Sequence, residues 1–312
     1  MTDTYEAVVV GGGAAGLSAA LVLGRARRRT LVVDAGEPRN APAAHLQGYL
    51  TRDGVPPAEF LALGREEIAR YGVELVRDRA VDVIRTGSGE FRVTLASGRT
   101  ASARRLVLAT GLADELPTVP GVAERFGRDV LHCPYCHGWE VRDEAFGVLA
   151  STPMGVHQAL MVSQWSKDVT LFLHQVAEEE VSRDDRRRLA AAGVTVVPGE
   201  VAALVVEEDR LTGIRLTDGS AHARSVLFVA PRAVPRNGLF ERLGAELRET
   251  PFGTYPVVDE TGLTSVPGVW AAGNAAGFAE QVVNAASAGY RAAATLNGEL
   301  LLADLDAVSR RD

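Results

Sequence analysis

The sequence contains two cysteines whose spacing allows them to act together. Cys133 and Cys136 lie in the stretch Leu-His-Cys-Pro-Tyr-Cys-His-Gly, residues 131–138. Two cysteines in 312 residues are too few for a disulfide scaffold, so we expect their role to be chemical. Two thiols on one turn can close a disulfide, and a nearby helix N-terminus or cationic histidine makes a cysteine a better nucleophile at neutral pH. The pair therefore indicates thiol–disulfide exchange.

A zinc site is the alternative interpretation of this stretch, because His132 and His137 flank the cysteines. Structural zinc normally uses two separated ligand pairs, and the sequence offers no second pair, so we predict no metal. His137 follows Cys136 directly, and an imidazole can act as acid or base near neutral pH. We predict that His137 is catalytic; a solvated turn residue is the alternative.

A glycine motif near the N-terminus predicts a dinucleotide site. Gly11, Gly13 and Gly16 form G-x-G-x-x-G between a predicted strand, residues 5–10, and a predicted helix, residues 17–27. These glycines allow a tight turn, close approach of backbone to a pyrophosphate, and close packing of helix on strand, while the helix N-terminus favours phosphate. The spacing alone does not separate FAD from NAD. The residues predicted to contact the cofactor here are Gly11, Gly13, Ala14, Ala15, Gly16, Asp34 and Ala35.

Asp34 completes this motif at the end of the next predicted strand. It lies 18 residues after Gly16, at the position from which a carboxylate accepts hydrogen bonds from ribose hydroxyls. A second strand–helix–strand pattern covers residues 145–174, and a long alanine-rich helix is predicted over residues 280–303. The length of 312 residues suggests about two domains. The pattern predicts an α/β protein with two doubly wound domains.

Composition excludes several classes of protein. The net charge of −7, from 33 basic and 40 acidic residues, argues against binding to nucleic acid. Residues 7–24 are uncharged, but three consecutive glycines favour a turn over a membrane helix. No Lys or Arg precedes this stretch, which argues against a secretory signal. We therefore expect a cytoplasmic protein with no membrane partner.

Three stretches together resemble the low-molecular-weight thioredoxin reductase family. They are Val-Val-Gly-Gly-Gly-Ala-Ala-Gly-Leu-Ser-Ala-Ala at 9–20, the cysteine motif at 131–138, and Thr-Ser-Val-Pro-Gly-Val-Trp-Ala-Ala-Gly-Asn at 264–274. The resemblance implies two nested Rossmann-like FAD/NAD(P)-binding domains of the disulfide reductase type. A discontinuous FAD-binding domain would comprise 1–114 and 240–312, and an inserted NADPH-like domain, 115–239, would carry the cysteines. It also implies a homodimer.

The same resemblance implies roles for individual residues. Gly273 and Asn274 of the late motif would hold FAD, together with the first turn of the last helix. Gln281 and Val282 belong to that turn, which would lie near the pyrimidine edge of the flavin, where a helix N-terminus stabilises the anion of reduced flavin.

The two cysteines would also divide their roles as in the family. Cys136 would face the flavin, and Cys133 would exchange with the thiol of the substrate.

The sequence departs from a thioredoxin reductase where the family binds NADPH. The turn at 149–155 keeps only Gly155 of the glycine motif and contains Pro153. The segment after the next strand, where the family has basic residues for the 2′-phosphate, ends in Glu178, Glu179 and Glu180, which would repel a phosphate. These changes argue against NADPH binding; an unusual mode of NADPH binding is the alternative.

Two smaller departures concern the other motifs. His137 replaces the acid that follows the second cysteine in the family. Asn274 stands where the family usually has Asp, and an amide can still hydrogen-bond a ribityl hydroxyl, so FAD binding should survive.

These features resemble the natural-product branch of the family, the dithiol oxidases that close the disulfides of gliotoxin and holomycin. The resemblance implies an FAD-dependent dithiol oxidase in which a small dithiol reduces the Cys133–Cys136 disulfide, electrons pass to FAD, and O2 reoxidises the flavin to give H2O2. The expected substrate is a dithiolopyrrolone such as holomycin. An NAD(P)H-dependent thioredoxin reductase and a flavin-binding redox sensor are the alternatives.

Overall fold

The computed structural model describes residues 3–310 and contains two parallel-rich sheets with helices. The strands are β1 (Asp3–Val10), β2 (Thr30–Asp34), β3 (Glu74–Arg77), β4 (Ala80–Arg85), β5 (Phe91–Leu95), β6 (Thr100–Leu108), β7 (Leu112–Glu115), β8 (Val130–Leu131), β9 (Phe146–Leu149), β10 (Val169–Phe172), β11 (Thr195–Val197), β12 (Val201–Glu207), β13 (Arg210–Leu216), β14 (Ala221–Ala223), β15 (Val226–Val229), β16 (Arg232–Pro235), β17 (Leu247–Thr250), β18 (Gly253–Pro256) and β19 (Val269–Ala271). The helices are α1 (Ala14–Arg25), α2 (Pro57–Ala69), α3 (Val122–Arg125), α4 (Pro134–His137), α5 (Met154–Val162), α6 (Arg183–Ala191), α7 (Gly238–Arg242) and α8 (Val282–Ser309).

The chain divides into two compact units, and the first is discontinuous in sequence. The first unit comprises residues 1–41, 57–113 and 233–312, and the second comprises 42–56 and 114–232. The segment 42–56 packs with the second unit, although it lies within the range 1–114 that the sequence assigns to the FAD-binding domain. One close contact explains this, because a Cβ on Gly127 would lie 2.3 Å from the carbonyl oxygen of Pro42.

The first unit is built on a sheet of order β3-β2-β1-β6-β5-β4, with β19 also paired to β6. Strands β3, β2, β1, β6 and β19 run parallel, whereas β4 and β5 pair in antiparallel fashion. The central strand β1 is buried and β-branched, as expected for a strand covered on both faces. Helices α1 and α8 pack on one face around Leu23 and Leu296, both fully buried.

The second unit contains a parallel sheet of order β11-β10-β9-β15-β8. Its three longest strands, β9, β10 and β15, are buried throughout. Helices α5 and α6 cover one face, and the antiparallel strands β12 and β13 contribute Val201 and Ile214 to the core on the other. The order of strands confirms the predicted α/β class with two doubly wound units. None of the helices within residues 3–310 has the length and apolar character that a membrane span needs.

Candidate functional site

The turn between β1 and α1 contains two glycines that contacts within the protein require and a third that no such contact requires. Gly11 has a φ of +112°, and a Cβ there would lie 2.2 Å from the carbonyl oxygen of Ala109. A Cβ on Gly16 would lie 1.8 Å from the carbonyl oxygen of Gly11. Around Gly13, by contrast, a Cβ would meet no atom within 4 Å. Gly13 therefore leaves open space at the N-terminus of α1, as close approach of a pyrophosphate requires.

The carboxylate of Asp34 organises this turn from the end of β2. Asp34 is buried and accepts hydrogen bonds from the backbone N–H of Gly12 at 3.3 Å and of Gly36 at 3.0 Å. Arg77 forms an ion pair with the same carboxylate, and Arg65 lies 3.6 Å away. The sequence predicts Asp34 as a ribose ligand, and the structure adds a supporting role, because the carboxylate ties the glycine turn to β2. Ala35, next to it, is exposed.

Arg77 is a site residue that the sequence analysis missed. It occupies the position on β3 that faces Asp34 in the parallel register of β2 and β3. No local motif marks it, because the pairing depends on which strands are neighbours.

The late motif meets the first helix at Ala15. Gly273 has a φ of +66°, and a Cβ there would lie 2.9 Å from the Cβ of Ala15. A Cβ on Gly289 in α8 would lie 1.9 Å from the carbonyl oxygen of Ala15. The structure thus brings together the predicted residues of the first and last motifs. Gly289 was missed by the sequence analysis, although a glycine inside an alanine-rich helix is itself a signal of close backbone approach.

Asn274 and the start of α8 lie beside this contact in the chain. The side-chain nitrogen of Asn274 donates to the carbonyl oxygens of Gly277 at 3.1 Å and Phe278 at 2.8 Å, which fixes the loop that precedes α8. Gln281 is the N-cap residue of α8 and Val282 is its first helical residue. The first backbone N–H groups of a helix have no partner within the helix and carry a partial positive charge, so this end favours an electron-rich group.

Glu280, which the sequence analysis did not single out as a ligand, directly precedes the N-cap residue of α8. Its Oε2 atom is buried and makes no hydrogen bond within residues 3–310. Burial raises the pKa of this carboxyl, and the charge of Arg291 opposes that shift only in part. A buried carboxyl oxygen without a protein partner is costly. It fits a site in which a bound group supplies the partner.

The two cysteines lie at the N-terminus of the short helix α4. Cys133 is the N-cap residue, and Pro134 occupies the first turn, where its missing N–H is harmless. The sulfurs of Cys133 and Cys136 are bonded to each other, with the Cα atoms 5.2 Å apart. Both cysteines are half-buried. A half-buried disulfide on one helical turn is accessible to an attacking thiolate.

His137 follows the disulfide in a partly desolvated position. Burial lowers the pKa of His137 below its ordinary value of 6.5, the carboxylate of Glu140 raises it, and protonation of His132 lowers it further. The imidazole is therefore neutral at pH 7 and can accept a proton. Between the two cysteines in the chain, Tyr135 packs against Trp165, and the centroids of their edge-to-face rings lie 5.8 Å apart.

The second strand–helix–strand unit contains the two departures predicted from the sequence. Thr152 and Pro153 are exposed in the turn between β9 and α5. Gly155 packs against Ala150, since a Cβ there would lie 2.6 Å from the Cβ of Ala150. Of the missing motif, only the glycine used for helix packing remains.

The acidic segment after β10 is at the same edge of the sheet as that turn. Residues Glu178–Glu180 form an exposed 3-10 turn. Strands β9 and β10 are parallel neighbours, so the segments that follow them lie at one edge. Negative charge at this edge disfavours a 2′-phosphate.

Comparison with known proteins decides the family. The family model described as pyridine nucleotide-disulphide oxidoreductase matches residues 5–289. The chain belongs to this family. As a pyridine nucleotide-disulphide oxidoreductase it is an oxidoreductase, and membership implies that it binds a flavin.

Individual relatives of this oxidoreductase agree with the sequence resemblance. "Thioredoxin reductase sirT" of Leptosphaeria maculans is 34% identical over 98% of this chain and 97% of the relative. "Thioredoxin reductase tcpT" of Claviceps purpurea is 33% identical over 98% and 97%. The crystal structure of HlmI is 50% identical, covers 99% of this chain and 96% of that one, and superposes with a TM-score of 0.93. The predicted membership of the thioredoxin reductase-like proteins is confirmed.

FAD fits the residues of the first unit. The open space at Gly13, the start of α8 and the unpaired carboxyl oxygen of Glu280 are features that a bound dinucleotide would use. The roles assigned to individual ligands, among them Asp34 and Asn274, stay predictions.

Proposed function

We propose that the protein is an FAD-dependent dithiol oxidase that closes an intramolecular disulfide in a small-molecule natural product, a dithiolopyrrolone such as holomycin. One observation carries the proposal. The cysteine pair is retained as a disulfide, whereas the turn and the acidic segment of the second unit lack the features that hold NADPH. These features favour the entry of electrons through a thiol.

The cysteines supply the exchange chemistry. A thiolate of the substrate attacks the sulfur of Cys133, the Cys133–Cys136 bond breaks, and Cys136 leaves as a thiolate. The second thiolate of the substrate attacks the sulfur that is bound to Cys133. The substrate disulfide forms, and Cys133 leaves as a thiolate. The substrate has lost two electrons, which are now on the two cysteines.

The other residues handle protons and the cofactor. Neutral His137 accepts a proton from the substrate, since burial lowers the pKa of its imidazole. The glycine turn and the start of α8 would hold FAD, which would supply the redox chemistry that passes the two electrons to O2 and gives H2O2. The predicted homodimer stays a prediction that sedimentation velocity would test.

A thioredoxin reductase is the second candidate, because the curated relatives sirT and tcpT carry that name. One anaerobic experiment separates the two functions. The oxidised holoprotein is mixed with NADPH or with the small dithiol dithiothreitol, and the flavin absorbance is followed. We expect dithiothreitol to bleach the flavin, peroxide to appear when air is admitted, and NADPH to leave the spectrum unchanged.

The outcomes are distinct. Rapid bleaching by NADPH would overturn the proposal in favour of a reductase, and no bleaching by either compound would favour a redox sensor. Cys133→Ser serves as the matched variant, since it removes the thiol that meets the substrate and leaves the glycine turn intact. We expect it to retain FAD and to abolish bleaching; loss of FAD would contradict the assigned role of Cys133.

A further inference from the structure

A buried glutamine fixes the residue that precedes the disulfide. Gln158, on α5, is 8% exposed. Its side-chain nitrogen donates to the carbonyl oxygen of His132 at 2.8 Å and to that of Val229 at 3.2 Å. Both hydrogens of the amide nitrogen are used, and both bonds hold backbone at the carboxyl ends of β8 and β15. Gln158 therefore anchors the chain immediately before Cys133.

The same carbonyl sets the tautomer of His132. The Nδ1 atom of His132 lies 3.1 Å from the carbonyl oxygen of Val229. A carbonyl oxygen only accepts, so Nδ1 carries the hydrogen, and in the neutral ring Nε2 is the basic nitrogen. The side chains of Gln158 and His132 thus both donate to the carbonyl oxygen of Val229.

The side-chain carbonyl oxygen of Gln158 does not explain why an amide occupies this position. Its Oε1 atom is buried and makes no hydrogen bond within the described part of the chain. A buried polar atom without a partner destabilises the fold, and such atoms in native proteins call for an explanation. The donor end of Gln158, which holds His132 and Val229, supplies that explanation.

Two imidazoles match the proton balance of the proposed reaction. Oxidation of a dithiol releases two electrons and two protons; the electrons break the Cys133–Cys136 bond, and a new S–S bond forms in the substrate. His132 precedes Cys133, and His137 follows Cys136. A protonated His132 lowers the pKa of His137, whereas the carboxylate of Glu140 raises it. On the other elements that hold His132, β15 ends in uncharged Val229, and α5 carries His157 on its exposed side.

We propose that Gln158 is a positioning residue for dithiol oxidation: it holds His132 with Nδ1 protonated, and His132 accepts one of the two protons of the substrate while His137 accepts the other. This inference rests on the proposed function. If Gln158 positions the imidazole of His132, its effect on the reaction disappears once that imidazole is removed, whereas the effect of a residue that merely supports the fold does not.

A double-mutant cycle tests this dependence. Gln158→Met keeps the length of the side chain and removes both donors, and His132→Asn removes the titrating nitrogen. The measurement is the anaerobic rate of flavin bleaching by dithiothreitol between pH 5 and pH 9. His157→Ala is the matched control, since His157 is the exposed neighbour of Gln158 on α5.

In each single variant we expect the flavin to bleach about tenfold more slowly at pH 7. This decrease in rate is smaller than the loss of a sole general base would cause, because His137 remains. The double variant should also be about tenfold slower, and the pH profiles of the three variants should coincide. The control should match the unaltered protein. A loss of about a hundredfold in the double variant, or an unchanged rate in Gln158→Met, would overturn the role of Gln158.

A spectroscopic measurement keeps the inference testable if Gln158→Met fails to fold. Nitrogen NMR of the ¹⁵N-histidine-labelled holoprotein reports the tautomer, and the His132→Asn variant identifies the His132 signal. We expect a protonated Nδ1 on His132, and a protonated Nε2 in the neutral ring would overturn the inference. If dithiothreitol does not bleach the unaltered protein, the proposed function fails as well; normal bleaching with an unchanged Gln158→Met removes only the role of Gln158.

Discussion

At the scale of single residues, the glycines of the first motif have different physical roles. Gly11 and Gly16 are required by backbone contacts within the protein, at 2.2 and 1.8 Å from a Cβ to the nearest carbonyl oxygen. Gly13 has no such contact. A motif that looks uniform in sequence therefore combines two packing positions with one position that a ligand explains.

Gly13→Ala should consequently separate FAD binding from folding. The new methyl group meets no protein atom, so the apoprotein should lose no more than about 1 kcal/mol, the typical cost of alanine at an N-cap. FAD affinity should fall by about tenfold or more, which corresponds to about 1.4 kcal/mol. Flavin fluorescence titration measures the affinity, and thermal unfolding of the apoprotein measures stability. Unchanged FAD affinity would contradict the assigned position of the pyrophosphate, and Gly16→Ala, which should not fold normally, is the contrasting variant.

His137 gives a prediction about pH. Its pKa lies below 6.5, mainly because of burial. The neutral base is therefore present at pH 7, and the acid limb of dithiol oxidation assigned to His137 should lie below pH 6.5. His137→Asn should lower the bleaching rate at pH 7 by about a hundredfold and remove this limb. An acid limb that is the same in His137→Asn as in the unaltered protein would show that His137 accepts neither proton of the substrate.

The same shift has a consequence for stability. His137 has a lower pKa in the folded state than in the unfolded state, so the unfolded state binds a proton first as pH falls. The free energy of unfolding therefore decreases as pH falls below 6.5. The loss levels off below the pKa of the folded state. Denaturant unfolding at pH 7.5 and pH 5.5 measures this effect. The free energy of unfolding should fall more between these two pH values in the unaltered protein than in His137→Asn.

At the scale of elements, the crossing of α1 and α8 holds the cofactor-binding motifs together. Gly289 lies at this crossing, where a Cβ would approach the carbonyl oxygen of Ala15 to 1.9 Å. The contact involves backbone, so no side-chain rotation relieves it. The separation of the two helices is fixed at this glycine.

Gly289→Ala should destabilise the protein by about 3 kcal/mol, because the helices must move apart. Gly298 is the matched control on the same helix, since a Cβ there meets no atom within 4 Å. Gly298→Ala should leave stability unchanged or raise it by about 0.5 to 1 kcal/mol. Denaturant unfolding gives both values. Equal effects of the two substitutions would contradict the close crossing.

At the scale of the whole molecule, the two doubly wound units have kept different chemical features. The first unit has a complete glycine turn, whereas the turn of the second carries Pro153 and faces exposed Glu178, Glu179 and Glu180 at one sheet edge. The same architecture thus supports a dinucleotide site in the first unit, whereas the carboxylates of the second unit disfavour a phosphate there.

Ligand-dependent unfolding tests this difference. FAD at a hundred times its dissociation constant should stabilise the apoprotein by about 2.7 kcal/mol and raise its melting temperature. NADPH at millimolar concentration should leave the melting temperature of the holoprotein unchanged. A clear rise with NADPH would contradict the predicted loss of NADPH binding and support the unusual binding mode.

The sequence was sufficient for features that are local. The strand–glycine–helix motif, the Cys-x-x-Cys turn and the acidic segment after β10 depend on neighbours in the chain, so composition and spacing predicted them. Helix ends were less precise: α8 runs from Val282 to Ser309, beyond the predicted residues 280–303. The last turns of α8 carry exposed leucines, and no local stop signal such as proline occurs before Ser309.

Only the tertiary structure decided which distant residues meet. Arg77 pairs with Asp34 because β3 lies beside β2, and Gln158 holds His132 because its side-chain amide, on α5, reaches the carbonyl oxygens at the ends of β8 and β15. The association of segment 42–56 with the second unit likewise follows from packing at Gly127. Motif chemistry is encoded in short stretches, whereas these contacts join residues far apart in the chain. Strand order and helix packing bring them together, and spacing alone does not specify either.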